Sequence, residues 1–552
     1  MCTTMIITPG ASANKAMTVG HSDDDELSDQ RVIRVPSMTG NKRAIMAESY
    51  PYPRFNRPDR GPWYSLPDQP ITEAIGEIDQ DQPTYAYFDG NYGIMNEHGL
   101  MMGECTNAAH YQPRFVTQEE ADKTGKHIRL FYSSELSRIA LERCKTANDA
   151  VHLMGDMIDT YGYYGEGETL LVADETEAWV FEMCALPDET NHSAWIAQLV
   201  PDGEVFVAAN SFRIRDVPHA DPRYRQIHTP DLAKKLSAVG YFDPDKGPLD
   251  WQVAISPGEY NHPYYSLRRI WRVFDRVNPD LGLSPWVEGT YTTYYPFSIK
   301  PKVPLALKDV FSLYRDHYEG TEFDLTRGTA AGPYGDPHRF TGPYDGKQND
   351  ASSRIGNGAW ERAISVFYQG YTFVLQSRPD LPEEARAIMW LAPDVSYTSV
   401  FAPFYAKVAD LPKSYQIGNP REYDDSVAWW VFDFVANWSR LNFQRMCTVD
   451  IIPKQQALEA EMIARVAQLD KDIAGHADPV AAMTEFCETT ATELLKDWTS
   501  LGRQLIAKYS DGFINRSAED REMAIPIGYP ASWLARTNYA KGPVSYKMTV
   551  EE

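Results

Sequence analysis

The sequence is poor in cysteine and has no long apolar segment. Its 552 residues include only six cysteines, scattered without a CxxC pair, which excludes a disulfide-stapled scaffold and a zinc-finger spacing. No run of 18 apolar residues occurs, and the opening MIITPGASANKAM is neither basic enough nor long enough for a signal segment. These absences predict a soluble, cytoplasmic protein.

Positive charge is also scarce. The chain has 53 Lys and Arg against 77 Asp and Glu, a formal net charge of −24. Such a surface repels nucleic acids and anionic membranes, so we expect neither as a partner. A hydrophobic share of 43% is ordinary for a protein with a large core. The oligomeric state stays open, a homo-oligomer included.

Short apolar segments predict an antiparallel, strand-rich core. The first two, TTMIIT and KAMTVGHS, flank the turn-forming PGASAN and predict a hairpin that begins at the terminus. NYGIMNEHGLMMGECTNA predicts a second hairpin of the same design. Further strands are predicted at ETLLVAD, EAWVFEMC, SAWIAQLV and GEVFVAAN, with a PDG turn between the last two.

Helices are predicted in two parts of the chain. SSELSRIALERCKTANDAVHLMGDMIDTYG has apolar residues at helical spacing, with Thr146 as the cap of a second helix. Residues 454–511 are almost continuously helical in pattern, with a break at AGHADP. Residues 328–358 are so rich in Gly, Pro and Asp that an extended loop is expected there.

Position 2 carries a cysteine, whose chemistry depends on the terminus. Because an initiator Met is removed before small residues, we expect a mature chain that begins at Cys2 with a free α-amine. The pKa of a thiol is about 8.5 and that of an α-amine about 7.7 to 8.0, so the amine can accept the thiol's proton. Nucleophile and base then occupy one residue. Position alone leaves an accidental cysteine as the alternative.

Several polar groups have a plain structural alternative beside a functional one. HSDDDE, beginning at His21, carries metal-binding residue types but lacks the glycine and ligand spacing of a calcium loop, which favours a strand end. Asn96 in NEHG is typical of a turn, and Asn210 in AANSFRIRD of a capped strand end. Arg268 and Arg269 fall on a predicted helix, where solvation is the ordinary fate of arginine.

Taken in order, these motifs resemble a known family. MCTT, a hairpin ending in His-Ser-Asp-Asp, GIMNEHGLMMGECT and VAANSFRI are similar to the cysteine-type N-terminal-nucleophile (Ntn) hydrolases of the dipeptidase A-like peptidase family. Bile salt hydrolase and penicillin V acylase are more distant relatives. The resemblance is strongest from residue 2 to about residue 275.

The resemblance implies an α+β fold, an αββα sandwich of two antiparallel sheets between helical layers. It implies a catalytic domain over residues 2–450 that carries insertions, including the loop at 328–358. Residues 451–552 are then a C-terminal helical hairpin and tail packed on that domain.

The same resemblance implies site residues. Cys2 matches the nucleophile, and Asp24 matches the acid that holds its α-amine. Two residues match the oxyanion hole, Asn96 through its backbone N–H and Asn210 through its side-chain amide. Arg269 is the better match to the arginine near the thiol, and Arg268 stays as the alternative.

One departure from the relatives concerns the charge beside the thiol. Where the relatives carry Arg-Asn-x-Asp, this chain has His21, Ser22, Asp23 and Asp24. A titratable imidazole therefore replaces a permanent cation. His21 either makes the activity more dependent on pH or acts as a hydrogen-bond donor.

The reaction implied is hydrolysis of a dipeptide through a thioester on Cys2. The free ammonium of a dipeptide needs a carboxylate partner, for which the candidates are Asp23, Asp25, Glu97 and Glu104. No metal, nucleotide or other cofactor is required. Two alternatives stay open: an acylase of non-peptide C–N bonds on the same fold, and a non-enzymatic binding protein if Met1 is retained.

Overall fold

A computed structural model describes residues 1–25, 28–261, 264–287, 295–340, 361–515 and 524–537. The strands in chain order are β1 (Cys2–Ile7), β2 (Met17–Asp23), β3 (Ile33–Val35), β4 (Lys42–Ile45), β5 (Gly76–Asp79), β6 (Tyr87–Asp89), β7 (Gly93–Asn96), β8 (Met101–Asn107), β9 (Gly167–Ala173), β10 (Ala178–Ala185), β11 (Ser193–Leu199), β12 (Val205–Ala208), β13 (Asp216–Val217), β14 (Gln226–His228), β15 (Leu249–Asp250), β16 (Ser298–Ile299), β17 (Tyr371–Ser377), β18 (Ala387–Pro393), β19 (Ala402–Tyr405), β20 (Phe513–Ile514) and β21 (Ile525–Pro526).

The α-helices are α1 (Gln118–Thr124), α2 (Ser133–Arg143), α3 (Ala147–Tyr161), α4 (Leu232–Ala238), α5 (Trp251–Ile255), α6 (Leu267–Val277), α7 (Leu307–Tyr314), α8 (Lys413–Gln416), α9 (Ala428–Ser439), α10 (Phe443–Arg445), α11 (Ile452–Asp472), α12 (Pro479–Lys508) and α13 (Ala531–Arg536).

Two large antiparallel sheets form the centre of the molecule. The first has seven strands in the order β16-β12-β1-β2-β17-β18-β19, and the second has eight in the order β14-β11-β10-β9-β8-β7-β6-β3. Helices α2 and α3 pack on strands of the second sheet, whereas α6, α7, α9, α11 and α12 pack on strands of the first. The predicted αββα sandwich is thereby confirmed.

The predicted terminal hairpin is present, and both of its strands are buried. In the β1–β2 pair, Cys2 lies opposite Asp23 and Thr4 lies opposite His21. Opposed residues of antiparallel strands project to the same face, so these four side chains share one face. Across from it, Gly103 of β8 comes so close that an added Cβ would lie 2.5 Å from Thr4 Oγ1. The two sheets therefore meet tightly next to the first residues of the chain.

The PDG turn does not join neighbouring strands of one sheet. It leads from β11 in the second sheet to β12 in the first, where β12 pairs with β1. Thr4 lies opposite Ala208 in that pair, so the chain that leaves β12 runs past the start of β1. This crossing delivers Asn210 to the neighbourhood of Cys2.

The predicted helices are found with small shifts at their ends. Helix α3 begins after Thr146, whose hydroxyl accepts the N–H of Asp149, as the capping motif predicts. The C-terminal pattern forms α11 and α12, which pack on β19. Of the predicted loop at 328–358, residues 341–358 lie outside the described residues, and Thr329–Ala331 forms a short 3-10 turn. Within the described residues, no helix has the length and apolarity needed to cross a membrane.

Candidate active site

The Cys2 thiol lies at the start of β1 and is buried. Its Sγ–H donates to Oε2 of Glu104 at 3.0 Å. Burial, and next the negative charge of Glu104, raise the pKa of the Cys2 thiol well above its ordinary value. In this arrangement the neutral, protonated form of the thiol is favoured.

Arg269 of α6 connects the start of β1 with the end of β12. Its Nη1 donates to the carbonyl of Cys2 at 2.8 Å and to Thr3 Oγ1 at 3.0 Å, and its Nη2 donates to Oδ1 of Asn210 at 2.8 Å. Arg268 turns elsewhere, pairing with Glu361 at 3.2 Å. Of the two arginines left open by the sequence, Arg269 is thus the one that touches Cys2.

Asn210 follows β12 in a left-handed backbone conformation, with φ of 58°. Asparagine tolerates this conformation better than most side chains do. Its backbone N–H donates to Cys105 Sγ at 2.6 Å, and its Nδ2 donates to the carbonyl of Thr106 at 2.7 Å. One hydrogen on Nδ2 is therefore used to hold the side chain in place.

Asp24 lies beside the chain terminus. Its Oδ2 accepts from Arg362 at 2.6 Å, while Oδ1 has no hydrogen-bond partner in the part of the chain that the structure describes. Burial disfavours the charged form of the Met1 α-amine, but Cys2, Glu104 and Asp24 raise the pKa of that amine well above its usual value. Tyr265 donates to Met1 Sδ at 2.6 Å. Negative charge thus surrounds the first residues of the chain.

His21 is a neutral imidazole with a defined tautomer. Its Nδ1 accepts the backbone N–H of Glu104 at 2.9 Å, and its ring stacks on Phe373 with centroids 5.0 Å apart. Burial lowers the pKa of His21. Because Nδ1 is an acceptor, Nε2 carries the proton, and across the described ranges Nε2 finds no acceptor. His21 therefore presents one N–H donor.

A metal ion fits this site poorly. Cys2, His21 and Asp23 offer ligand atoms that all lie within 4.8 Å of one another. However, the Nδ1 lone pair of His21 already accepts the N–H of Glu104, and Nε2 then bears a hydrogen. Asp23 is engaged as well, since its Oδ2 accepts from Asn91 at 2.7 Å. Burial raises the pKa of the Asp23 carboxyl, which further opposes the anionic form that a metal prefers.

Asn96 is the last residue of β7, in the turn that leads to β8, and this corrects its predicted place. Its backbone N–H donates to the carbonyl of Leu100 at 3.0 Å, and its Nδ2 donates to the carbonyls of Leu141 and Cys144. Leu100 precedes Glu104 by four residues, roughly 13 Å along a strand. Asn96 therefore shapes the β7–β8 turn and has no N–H to offer an oxyanion at Cys2.

Glu97 belongs to the same turn. Its Oε1 accepts the backbone N–H of Ala86 at 3.0 Å. Of the carboxylates predicted to meet a substrate, Asp23 and Glu104 lie next to the thiol, whereas Glu97 does not. Asp25 follows Asp24 directly and is only partly buried.

Three residues near the thiol were not among the predicted site residues. Glu168 is the second residue of β9 and accepts from Tyr132 at 2.6 Å; a carboxylate at the start of the apolar run ETLLVAD was the available signal. Tyr265 stands four residues before Arg269, in a stretch from which only arginines were predicted as site residues. Arg362 is separated from Asp24 by 338 residues, and no local pattern connects them.

Comparison with known proteins identifies the family. The model of Peptidase family C69 matches residues 1–453, well over half of the chain. This chain belongs to Peptidase family C69. It is therefore a hydrolase, and the matched range includes every residue of the cluster around Cys2.

Curated relatives of this C69 member are named as dipeptidases. A "Probable dipeptidase" of Latilactobacillus sakei is 22% identical over 515 residues, with 92% of this chain and 95% of that one covered. A "Probable dipeptidase" of Salmonella dublin is 27% identical over 58% of this chain and 65% of its own length. Dipeptidase A of Lactobacillus helveticus is 22% identical over 55% and 56% of the two chains.

Among solved structures, penicillin V acylase from Agrobacterium tumefaciens is similar at 10% identity and a TM-score of 0.27. The alignment covers 73% of this chain and 86% of that one. At this level the fold assignment depends on the two sheets and their helical layers as described above.

Proposed function

We propose that this C69 peptidase is a dipeptidase that cleaves its substrate through a thioester on Cys2. One observation carries the proposal: the β1–β2 hairpin, the end of β12 and helix α6 bring Cys2, Asp24, Asn210 and Arg269 together at the start of β1. The dipeptidase names of its relatives support the choice of substrate.

Removal of Met1 supplies the base in this proposal. The α-amine of Cys2 then lies next to Asp24, whose Oδ1 is available to hold it. The amine takes the Sγ proton, Sγ bonds to the carbonyl carbon, and the amine returns the proton to the leaving nitrogen as the C–N bond breaks. Water then hydrolyses the thioester and regenerates the thiol.

Two donors are proposed for the oxyanion. The first is the second hydrogen on Nδ2 of Asn210, which Arg269 and Thr106 hold in position. The second is the backbone N–H of Thr106, in place of Asn96. In an antiparallel strand the N–H and C=O of one residue point to the same edge. The N–H of Glu104 is directed at His21 and the C=O of Thr106 at Asn210, so the N–H of Thr106 lies on this edge too.

The test combines terminus analysis with a nucleophile variant. We expect the mass of the active protein to lack Met1 and iodoacetamide to modify Cys2 faster than any other cysteine. Cys2→Ala should lower kcat on free dipeptides by about 10³ to 10⁶ while the fold is kept. Cys184→Ala, which removes another buried thiol in β10, is the matched control and should retain kcat.

Two results would contradict this function. Full retention of Met1 in active enzyme would remove the terminal amine as the base. Activity of Cys2→Ala within tenfold of the wild type would place the nucleophile elsewhere. A panel that includes N-acylated amino acids separates a dipeptidase from an acylase that uses the same thiol.

A further inference from the structure

Two buried carboxyl groups lie beside the thiol and have no part in the steps above. Glu104 and Glu168 are both 0% exposed. Thr106 of β8 pairs with Glu168 of β9, so Glu168 lies diagonally across from Glu104 on one face of the sheet, at a spacing that long side chains bridge. Glu104 accepts from Cys2 through Oε2 and from Thr106 Oγ1 through Oε1, at 2.9 Å. Both of its oxygens are engaged, one of them by the nucleophile.

Only one carboxyl oxygen of Glu168 is engaged. Its Oε1 accepts from Tyr132 at 2.6 Å, whereas its Oε2 has no hydrogen-bond partner anywhere in the described residues. Burial, followed by the charge of Glu104, raises the pKa of Glu168 well above its ordinary value. Burial and the neighbouring charge therefore favour the neutral form of Glu168, whereas a cation bound here favours its ionised form, in which Oε2 is an acceptor.

An ammonium group is the ligand that matches this pair. It brings one positive charge and three N–H donors, which a buried carboxylate with a spare acceptor requires. The Met1 α-amine lies close enough for Glu104 to be one of the charges that favour its ammonium form. A neutral amide would leave the negative charge unbalanced.

The distances fit the first residue of a peptide. Its α-ammonium nitrogen is two bonds from its carbonyl carbon, about 2.5 Å. A thiol poised for attack lies roughly 3 to 3.5 Å from that carbon. Oε2 of Glu104 is 3.0 Å from Sγ of Cys2, so one carboxylate can reach both the thiol and the ammonium. An N-acylated residue has no ammonium at this point.

On the basis of the proposed dipeptidase function, we propose that Glu104, assisted by Glu168, binds the α-ammonium of the substrate's first residue and thereby releases the Cys2 thiol for attack. Before binding, Sγ–H donates to Glu104. The ammonium replaces it as the donor and balances the negative charge that opposes a thiolate. The thiol proton then passes to the α-amine of Cys2, the S–C bond forms, and that proton leaves with the departing nitrogen as the C–N bond breaks.

A free amino terminus is thus recognised, and its ammonium group promotes activation of the thiol. Glu104→Gln, Glu168→Gln and the exposed control Glu77→Gln test this with alanyl-alanine and N-acetyl-alanyl-alanine as substrates. We expect Glu104→Gln to lower kcat/KM on alanyl-alanine by roughly 30-fold or more, as for loss of a buried charge partner, and to leave N-acetyl-alanyl-alanine no worse. Glu168→Gln should lower it less, by about tenfold, and Glu77→Gln should change neither substrate.

A second readout needs no turnover: the rate at which iodoacetamide alkylates Cys2 between pH 6 and 8. Without the charge of Glu104 the thiol ionises more easily, so alkylation at pH 7 should be about tenfold faster in Glu104→Gln. The titratable and charged groups that face the thiol and Glu104 are the terminal α-amine, His21, Asp23, Asp24, Glu48, Tyr50, Tyr92, Glu168 and Arg269. In the proposed mature chain the α-amine belongs to Cys2, and the wild type and Glu104→Gln share all of these groups.

The outcomes separate this inference from the proposed function. Equal losses on both peptides together with slower alkylation would overturn it, because Glu104 would then act as a base for the thiol. If the wild type cleaves no dipeptide, the proposed function fails, but faster alkylation in Glu104→Gln would still support the control of the thiol by Glu104. Unchanged alkylation would overturn it. Should Glu104→Gln fail to fold, Glu168→Gln decides by the same two readouts.

Discussion

The two sides of the Cys2 thiol differ in charge and in what they hold. On one side, Arg269 and Arg362 bind the carbonyl of Cys2, Asn210 and Asp24. On the other side, Glu104 binds the thiol itself, and Glu168 lies behind it. The first side fixes backbone and side chains in place, whereas the second carries a negative charge with a spare acceptor.

This difference separates positioning from recognition. The arginines have carbonyl, amide and carboxylate partners, so the parts they hold are set before a substrate arrives. The carboxyl pair has one oxygen without a partner among the described residues, and its charge opposes thiolate formation. Variants on the arginine side should therefore impair every substrate alike, whereas variants on the carboxylate side should discriminate between substrates.

The largest effect is expected from Arg269→Ala. Its loss leaves the carbonyls of Cys2 and Ala209 and Oδ1 of Asn210 without a charged donor in a buried place. We expect kcat to fall by about 10³ or more and stability to fall by about 3 kcal/mol, since each unsatisfied buried acceptor costs about 1 to 3 kcal/mol. Kinetics and thermal unfolding measure both. Arg269→Lys should recover only part, because the single nitrogen of a lysine cannot reach the separate partners that Nη1 and Nη2 of the guanidinium contact. Near-normal kcat in both variants would remove Arg269 from the site.

Asn210 comes next. If its amide donates to the oxyanion, Asn210→Ala and Asn210→Gly should both lower kcat by roughly 10² to 10³, with little change in substrate binding. Glycine adopts a φ of 58° freely and alanine does not, so the alanine variant should be less stable by about 1 kcal/mol. The glycine variant is thus the control for backbone strain. A lower melting temperature with near-normal kcat would mean that Asn210 only ends a strand.

Asp24→Asn should change the pKa of the terminal α-amine, which is the proposed base. Without this negative charge the pKa of the terminal amine falls, and the acid limb of kcat/KM against pH moves to lower pH. Because the amine also loses the carboxylate that positions it, we expect a net loss of roughly 10 to 100-fold at neutral pH, by the same factor for free and N-acetylated substrates. Steady-state kinetics from pH 5 to 9 gives both quantities. An unshifted profile would assign Asp24 only its ion pair with Arg362.

The smallest effect concerns His21 and stability. Burial lowers the pKa of folded His21 below the unfolded value of about 6.5, so its contribution is complete above that value and is lost as pH falls through it. His21→Gln should therefore lose about 1 kcal/mol less than the wild type between pH 7.5 and 5.5. Denaturant unfolding at the two pH values measures this difference. Equal losses would mean that His21 is not held neutral.

Local patterns were sufficient for much of the fold. The alternation in TTMIIT and KAMTVGHS and the cap at Thr146 specify a hairpin and a helix from residues close in sequence, and both were predicted. The β11–β12 crossing was not, because PDG permits a turn without deciding whether the next strand pairs in the same sheet. That choice depends on pairing with β1, nearly 200 residues away in sequence.

The candidate site divides in the same way. Cys2 and Glu104 lie within predicted strands, in the motifs MCTT and GIMNEHGLMMGECT. Asn96 was misplaced because the NEHG turn precedes the part of β8 that faces the thiol by several residues. Glu168, Tyr265 and Arg362 gain their positions only through tertiary contacts, and a single sequence gives no signal for the Arg362–Asp24 pair.

The burial of the Met1 α-amine bears on whether Met1 is removed before or after the chain folds. An aminopeptidase must take that amine into its own active site, but in the folded protein the amine is buried among Cys2, Glu104 and Asp24. If removal of Met1 supplies the base as proposed, an aminopeptidase has to act before β1 inserts between β2 and β12. On that mechanism, the order of folding and excision during synthesis decides whether a given molecule becomes active.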